Sequence, residues 1–106
     1  LATNYVNAIH VGSKLVESLQ NVQQHLREKG HQDQGYDIPY TTVHVGKITG
    51  GTALNIVPNM CVVDYEIRHL AQDSSANVQE QIVENIKDDF KKHIDVEEVN
   101  QYAAEI

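Results

Sequence analysis

The chain has 106 residues, with 15 acidic against 8 basic side chains, six histidines and one cysteine. That length supports a single domain, residues 1–106, with one core and no interdomain cleft. No lysine–arginine cluster interrupts the acidic balance, and no apolar run approaches the roughly twenty residues of a membrane span, so the pattern argues against nucleic-acid and membrane partners. The first residues carry no signal-peptide pattern, and a lone Cys61 forms no internal disulfide; both fit a reducing, cytoplasmic setting.

Residues 3–29 have a helical period. Val6, Ile9, Val16, Leu19, Val22 and Leu26 recur at spacings of three, four or seven with polar residues between them. Gly30 ends the helix as its C-cap, after Lys29 in the last turn. Gly12 inside it costs about 1 kcal/mol relative to alanine unless close packing requires it. Residues 31–39 are polar, contain Gly35 and Pro39, and form a loop.

Residues 40–48 predict a strand, with Val43 and Val45 on one face and His44 on the other. Residues 60–69 predict a second. Its odd positions Cys61, Val63, Tyr65 and Ile67 make an apolar stripe, and Asp64, Glu66 and Arg68 lie on the opposite face. The pair forms an antiparallel hairpin with a long loop, and Cys61, among apolar neighbours, is expected to be a buried, inert thiol. Ser74-Ser75-Ala76-Asn77 supplies helix-capping side chains. From there Val78, Ile82, Val83, Ile86 and Phe90 trace a helical face to about His93, and residues 95–101 follow as a final strand through Val96 and Val99.

The chemistry concentrates in the hairpin loop. Gly50 and Gly51 permit backbone conformations that a side chain forbids, Asn55 offers an amide that donates and accepts, and Pro58 fixes the direction of exit. Arg68 then ends the strand with a guanidinium. Amide and guanidinium together suit a carboxylate-bearing ligand; the plainer reading is a turn asparagine and a surface arginine paired with Glu66 or Asp64. The histidines are scattered without a ligand spacing, and His-x-Asp and His-Glu-x-x-His are absent, so neither metal ligands nor catalytic residues are expected in this chain. Asp88-Asp89 and Glu97-Glu98 read as solvated charge.

The stretch from Thr41 to Asn59, with Gly50-Gly51-Thr52-Ala53-Leu54-Asn55-Ile56-Val57-Pro58 at its centre and Glu66-Ile67-Arg68 after it, resembles the dimerisation or lid domain of a zinc peptidase family. Its members include acetylornithine deacetylase, succinyl-diaminopimelate desuccinylase, aminoacylase and glutamate carboxypeptidases, and the likeness is greatest to the acetylornithine deacetylase branch. Asn7-Ala8-Ile9 resembles the start of the family's first lid helix. The resemblance implies an α+β, ferredoxin-like two-layer sandwich, an antiparallel sheet with two helices on one face. In a βαββαβ order one further strand would precede Leu1, so the first strand is expected to be missing from this chain, which would then self-associate through its strand edges and first helix.

By the same resemblance the parent is a zinc-dependent amidohydrolase of arginine biosynthesis, acting on N-acyl amino acids as a cytoplasmic homodimer. Zinc belongs to its catalytic domain and none to this chain, which alone is inactive. Asn55 would orient the substrate, Arg68 would pair with its carboxylate, and Gly50 and Gly51 would shape the loop. The family's Gly-His pair, whose histidine stabilises an oxyanion, has no counterpart here, and His69-Leu70-Ala71 stands where relatives have proline. The competing expectation is a free-standing ferredoxin-like module that binds a small amino acid or a protein partner.

Overall fold

A computed structural model describes residues 6–90 and the backbone of 101–105. Helix α1 spans Ala8–Lys29. Asn7 caps it, its side-chain oxygen accepting from the Ile9 and His10 amides at 2.9 and 3.3 Å. Arg27 and Lys29 occupy the last turn, where the helix dipole favours positive charge. Gly30 stands at the C-cap in an extended conformation. Its Cα lies so close to the Leu26 carbonyl that a side chain's first carbon would sit 2.6 Å from that oxygen.

Strands β1 (Thr42–Gly50) and β2 (Cys61–His69) form the antiparallel hairpin, joined by residues 51–60. The ladder slips between Val45 and Lys47, leaving Gly46 as an extra residue. The bulge resets the alternation. Val43, Val45 and Ile48 oppose Ile67, Tyr65 and Val63, and these pairs face the helices. Thr42, His44 and Lys47 oppose Arg68, Glu66 and Asp64 on the outer face.

Helix α2 (Ser75–Asp89) begins at Ser74, whose hydroxyl accepts from the Asn77 amide, and ends at Phe90. His93 and residues 95–100 of the expected last strand lie outside the described residues. Strand β3 is Gln101–Glu105, and it pairs with β2 in parallel, giving the order β1-β2-β3. The fold is α+β and fits the expected ferredoxin-like domain. The antiparallel expectation holds for β1–β2 and not for β2–β3, because a strand returning through one helix to the neighbouring position arrives parallel. The β2 edge that a missing first strand would leave open is thus paired from Tyr65 to His69.

Both helices pack on the same sheet face. Leu15, Leu19, Val22 and Leu26 of α1 and Val78 and Ile82 of α2 close over Val43, Val63, Tyr65 and Ile67. Each such aliphatic side chain taken fully from water contributes about 1.5–3 kcal/mol. The helices are also knitted by Asn85, which donates to the Ser18 hydroxyl at 2.8 Å and to its carbonyl at 3.1 Å. At Gly12 α1 lies close against the sheet: an alanine methyl there would fall on the Cys61 sulfur. Close packing is therefore its reason. Cys61 is half-buried rather than fully enclosed. Among the described residues no helix is long and apolar enough to cross a membrane.

Candidate functional site

The loop is shaped at its two glycines. Gly51 has φ +90°, a left-handed conformation that L side chains rarely adopt. At Gly50 a side-chain carbon would lie 3.1 Å from the Met60 carbonyl and 3.2 Å from Ile9, so the loop closes tightly against its own exit and against α1. The Ala8 amide donates to the Pro58 carbonyl at 3.0 Å and fastens the loop to the start of α1. Within the loop, the Ile56 amide reaches the Ala53 carbonyl at 3.2 Å.

Between loop and helix lies a shallow, open concavity of about 660 Å³, bordered by Asn7, Ile9, His10 and residues 50–58. Asn55 lines it, is exposed, and makes no side-chain hydrogen bond among the described residues. A turn asparagine would ordinarily bond its own backbone; this one presents an uncommitted amide. Leu54, fully exposed, and Ile56, half-exposed, give the loop an apolar surface.

Arg68 lies at the other end of the hairpin, on the outer sheet face. Its Nε donates to Glu66 Oε1 at 2.8 Å, and both side chains are exposed. An exposed pair of this kind is worth at most about 1 kcal/mol, so a ligand carboxylate competes with Glu66 on nearly equal terms. The fork geometry of guanidinium suits such a ligand. Seven strand steps from Cys61 to Arg68, at about 3.3 Å each, put some 23 Å between Arg68 and the base of the loop. Gly50, Gly51 and Asn55 are brought together; Arg68 is not brought to them.

The Arg68 end contains a cluster with no sequence signal, since its members are far apart in the chain. His31 Nδ1–H donates to Asp73 Oδ1 at 2.7 Å, and the Thr41 hydroxyl donates to Asp73 Oδ2. That hydroxyl also accepts from the Leu70 amide at 3.1 Å. Burial works against the Asp73 carboxylate, but the bonds from His31 and Thr41 and the positive potential of His31 and His69 outweigh it. Its carboxyl therefore titrates below the usual value. Two loops, one before β1 and one after β2, are clamped together by this acid. No three His, Cys, Asp or Glu side chains converge to hold a metal among the described residues, so zinc has no fitting site in them.

Residues 2–94 match the family described as the peptidase dimerisation domain. Among similar proteins, the acetylornithine deacetylase of Buchnera aphidicola subsp. Acyrthosiphon pisum (strain Tuc7) is 28% identical over 87 residues, 82% of this chain and 23% of that protein. The acetylornithine deacetylase of Aliivibrio salmonicida (strain LFI1238) is 29% identical over 83 residues, 78% of this chain and 22% of that protein. The succinyl-diaminopimelate desuccinylase of Marinobacter nauticus is 27% identical over 94 residues, 83% of this chain and 23% of that protein. The chain thus spans less than a quarter of the length of these curated relatives. With the match running from residue 2 to residue 94, over a helix–hairpin–helix layer of the expected class, the chain belongs to the peptidase dimerisation domain family.

Proposed function

We propose that this chain is the dimerisation and substrate-clamping domain of a zinc-dependent amidohydrolase that removes the acyl group from N-acyl amino acids, in the manner of an acetylornithine deacetylase. The parent acts in the cytoplasm as a homodimer. Zinc, which would supply Lewis-acid activation of water, and the base that works with it belong to a catalytic part outside these 106 residues. The residues of this chain bind and orient the substrate, and the chain alone is inactive.

The observation that carries the reading is the uncommitted amide of Asn55, held on a loop whose path Gly50 and Gly51 determine, in a chain of this family. Asn55 orients the acyl-amide group, and Arg68 exchanges Glu66 for the substrate's carboxylate. The 23 Å or so of strand between them exceeds what one small substrate spans. One protomer's Asn55 and its Arg68 therefore serve different sites, and each site of the homodimer draws its asparagine from one chain and its arginine from the other.

Arg68→Ala in the full-length protein tests the clamp. The expected result is a kcat/KM reduced at least tenfold, mostly through KM, because a lost carboxylate contact weakens binding before chemistry. An unchanged kcat/KM would sink the clamp and leave a domain with a structural role only.

A further inference from the structure

Glu66, the counter-ion of Arg68, has a second polar neighbour on the outer face of the hairpin. The register sets Thr42 of β1 against Arg68 of β2, His44 against Glu66 and Lys47 against Asp64. Residues directly opposite on one sheet face have first side-chain carbons about 4.5–5.5 Å apart, and residues two along one strand are about 6.6 Å apart. Glu66 therefore reaches either Arg68, to which it is bonded, or His44. The imidazole of His44 is exposed and makes no side-chain hydrogen bond among the described residues. It leans along β1 towards the bulge, where a side-chain carbon added at Gly46 would meet its Nε2 at 3.8 Å. In the antiparallel pair that direction runs away from Arg68, so a Glu66 turned to His44 withdraws from the guanidinium.

We propose that His44 is the positioning residue that receives Glu66 when a substrate carboxylate takes its place on Arg68. The inference rests on the carboxylate clamp proposed above. A guanidinium with a resident counter-ion is kept in place, but every ligand must first displace that counter-ion, and its apparent affinity falls by the corresponding factor. A Glu66 released beside the incoming carboxylate would also repel it, since two like charges would share one strand face. The imidazole lowers both costs. It offers the released carboxylate a donor, and it draws that negative charge back along the ladder, away from the ligand. Arg68 keeps its position while Glu66 changes partner. The other cation on this part of the face, Lys47, already has Asp64 opposite, and Thr42 carries no charge.

Steady-state kinetics of the full-length protein, with N-acyl amino acids as substrates, test this. Expected for His44→Ala is a KM raised about two- to fivefold, the range of an exposed charged pair, with the change confined to KM. His44→Gln, whose amide still donates, should restore most of the loss. Glu66→Gln should lower KM by a similar factor, and in that background His44→Ala should have no effect, because the two residues act as one unit. Asp64→Asn removes a negative charge from the same face without freeing Arg68 and should leave KM as it was. A fall in KM with Asp64→Asn equal to that with Glu66→Gln would show a general effect of charge and overturn the exchange. An unchanged KM in His44→Ala would overturn it too, as would a His44→Ala effect that persists beside Glu66→Gln. So would a loss that follows Tyr102→Phe, at the position set against Glu66 on β3, in place of His44→Ala. Those outcomes leave the clamp standing as long as Arg68→Ala still lowers kcat/KM. If Arg68→Ala has no effect, or if no N-acyl amino acid is hydrolysed, the clamp reading itself falls and the exchange falls with it.

Discussion

At the loop end of the hairpin, residues 51–57 are all exposed, one backbone bond reaches α1, and the candidate amide of Asn55 has no partner among the described residues. At the Arg68 end, 23 Å or so away, Asp73 holds His31 and Thr41, Thr41 holds the Leu70 amide, and Gln72 bonds the Gln32 carbonyl. One end is held by many bonds that any ligand finds ready made; the other is held by few and can adapt. Few buried contacts and exposed backbone are what place a segment at the low-stability end of a fold. An already ordered site, by contrast, saves the ordering cost of binding. The two candidate contacts are therefore expected to act differently, Arg68 as a fixed post and the loop of Asn55 as a part that closes.

The largest effect that would break this division comes from mixing two impaired enzymes. Asn55→Ala and Arg68→Ala homodimers should each lose most activity. If each site takes one residue from each protomer, a mixed dimer has one intact site. Random exchange makes half the dimers mixed, so at substrate concentrations below KM roughly a quarter of the wild-type kcat/KM should return. No recovery would mean that both residues serve a site from the same protomer, and the separation along the strand would lose its meaning.

Stability measurements sharpen the same contrast. Ile82→Ala, at a fully buried position against the sheet, should cost about 2–5 kcal/mol. Leu54→Ala, at the exposed loop tip, should stay within about 0.5 kcal/mol. Denaturant midpoints compare them directly, and equal losses would show the loop to be part of the core. Asp73→Asn should cost about 1–3 kcal/mol at neutral pH by weakening the bonds to His31 and Thr41. The folded carboxyl titrates below its unfolded value, so this contribution is complete above the ordinary carboxylate range and is lost as pH falls through the folded value. The gap between wild type and variant should close below about pH 4, and a gap independent of pH would remove the acid from the cluster. Gly51→Ala is expected to cost about 1–2 kcal/mol through its left-handed backbone, more than Leu54→Ala beside it, and to raise KM as well as lower the denaturant midpoint.

How much of this could be read from the residues differs along the chain. α1 ends at Lys29 as its periodicity predicts, and the apolar stripe of β2 is the buried one, because regular elements write their period into the sequence. β1 was harder. The reading 40–48 becomes Thr42–Gly50, and the bulge at Gly46 turns Ile48 to the helix face, a change of phase that a run of alternating residues does not announce. The loop glycines were legible, since Gly51 needs its φ and Gly50 its closeness. The surface pair of Arg68 with Glu66 was one of the two partners expected. What stayed hidden depends on contacts between distant segments: the clamp of His31, Thr41 and Asp73, the side chain of Gln23 bonded to the start of β1, and the parallel approach of β3.

α1 gives these separate features a mechanical connection. Its 22 residues make a rod about 33 Å long. Its first residue is hooked to Pro58 in the loop, and His31, two residues past its end, is hooked to Asp73 in the turn after β2. A rod hooked at both ends cannot slide at one without pulling on the other. Gly12, pressed against Cys61 between them, is the bearing on which it rests. A push that shifts the loop along the rod's axis must either unhook Ala8 or arrive at the acid in the turn after β2.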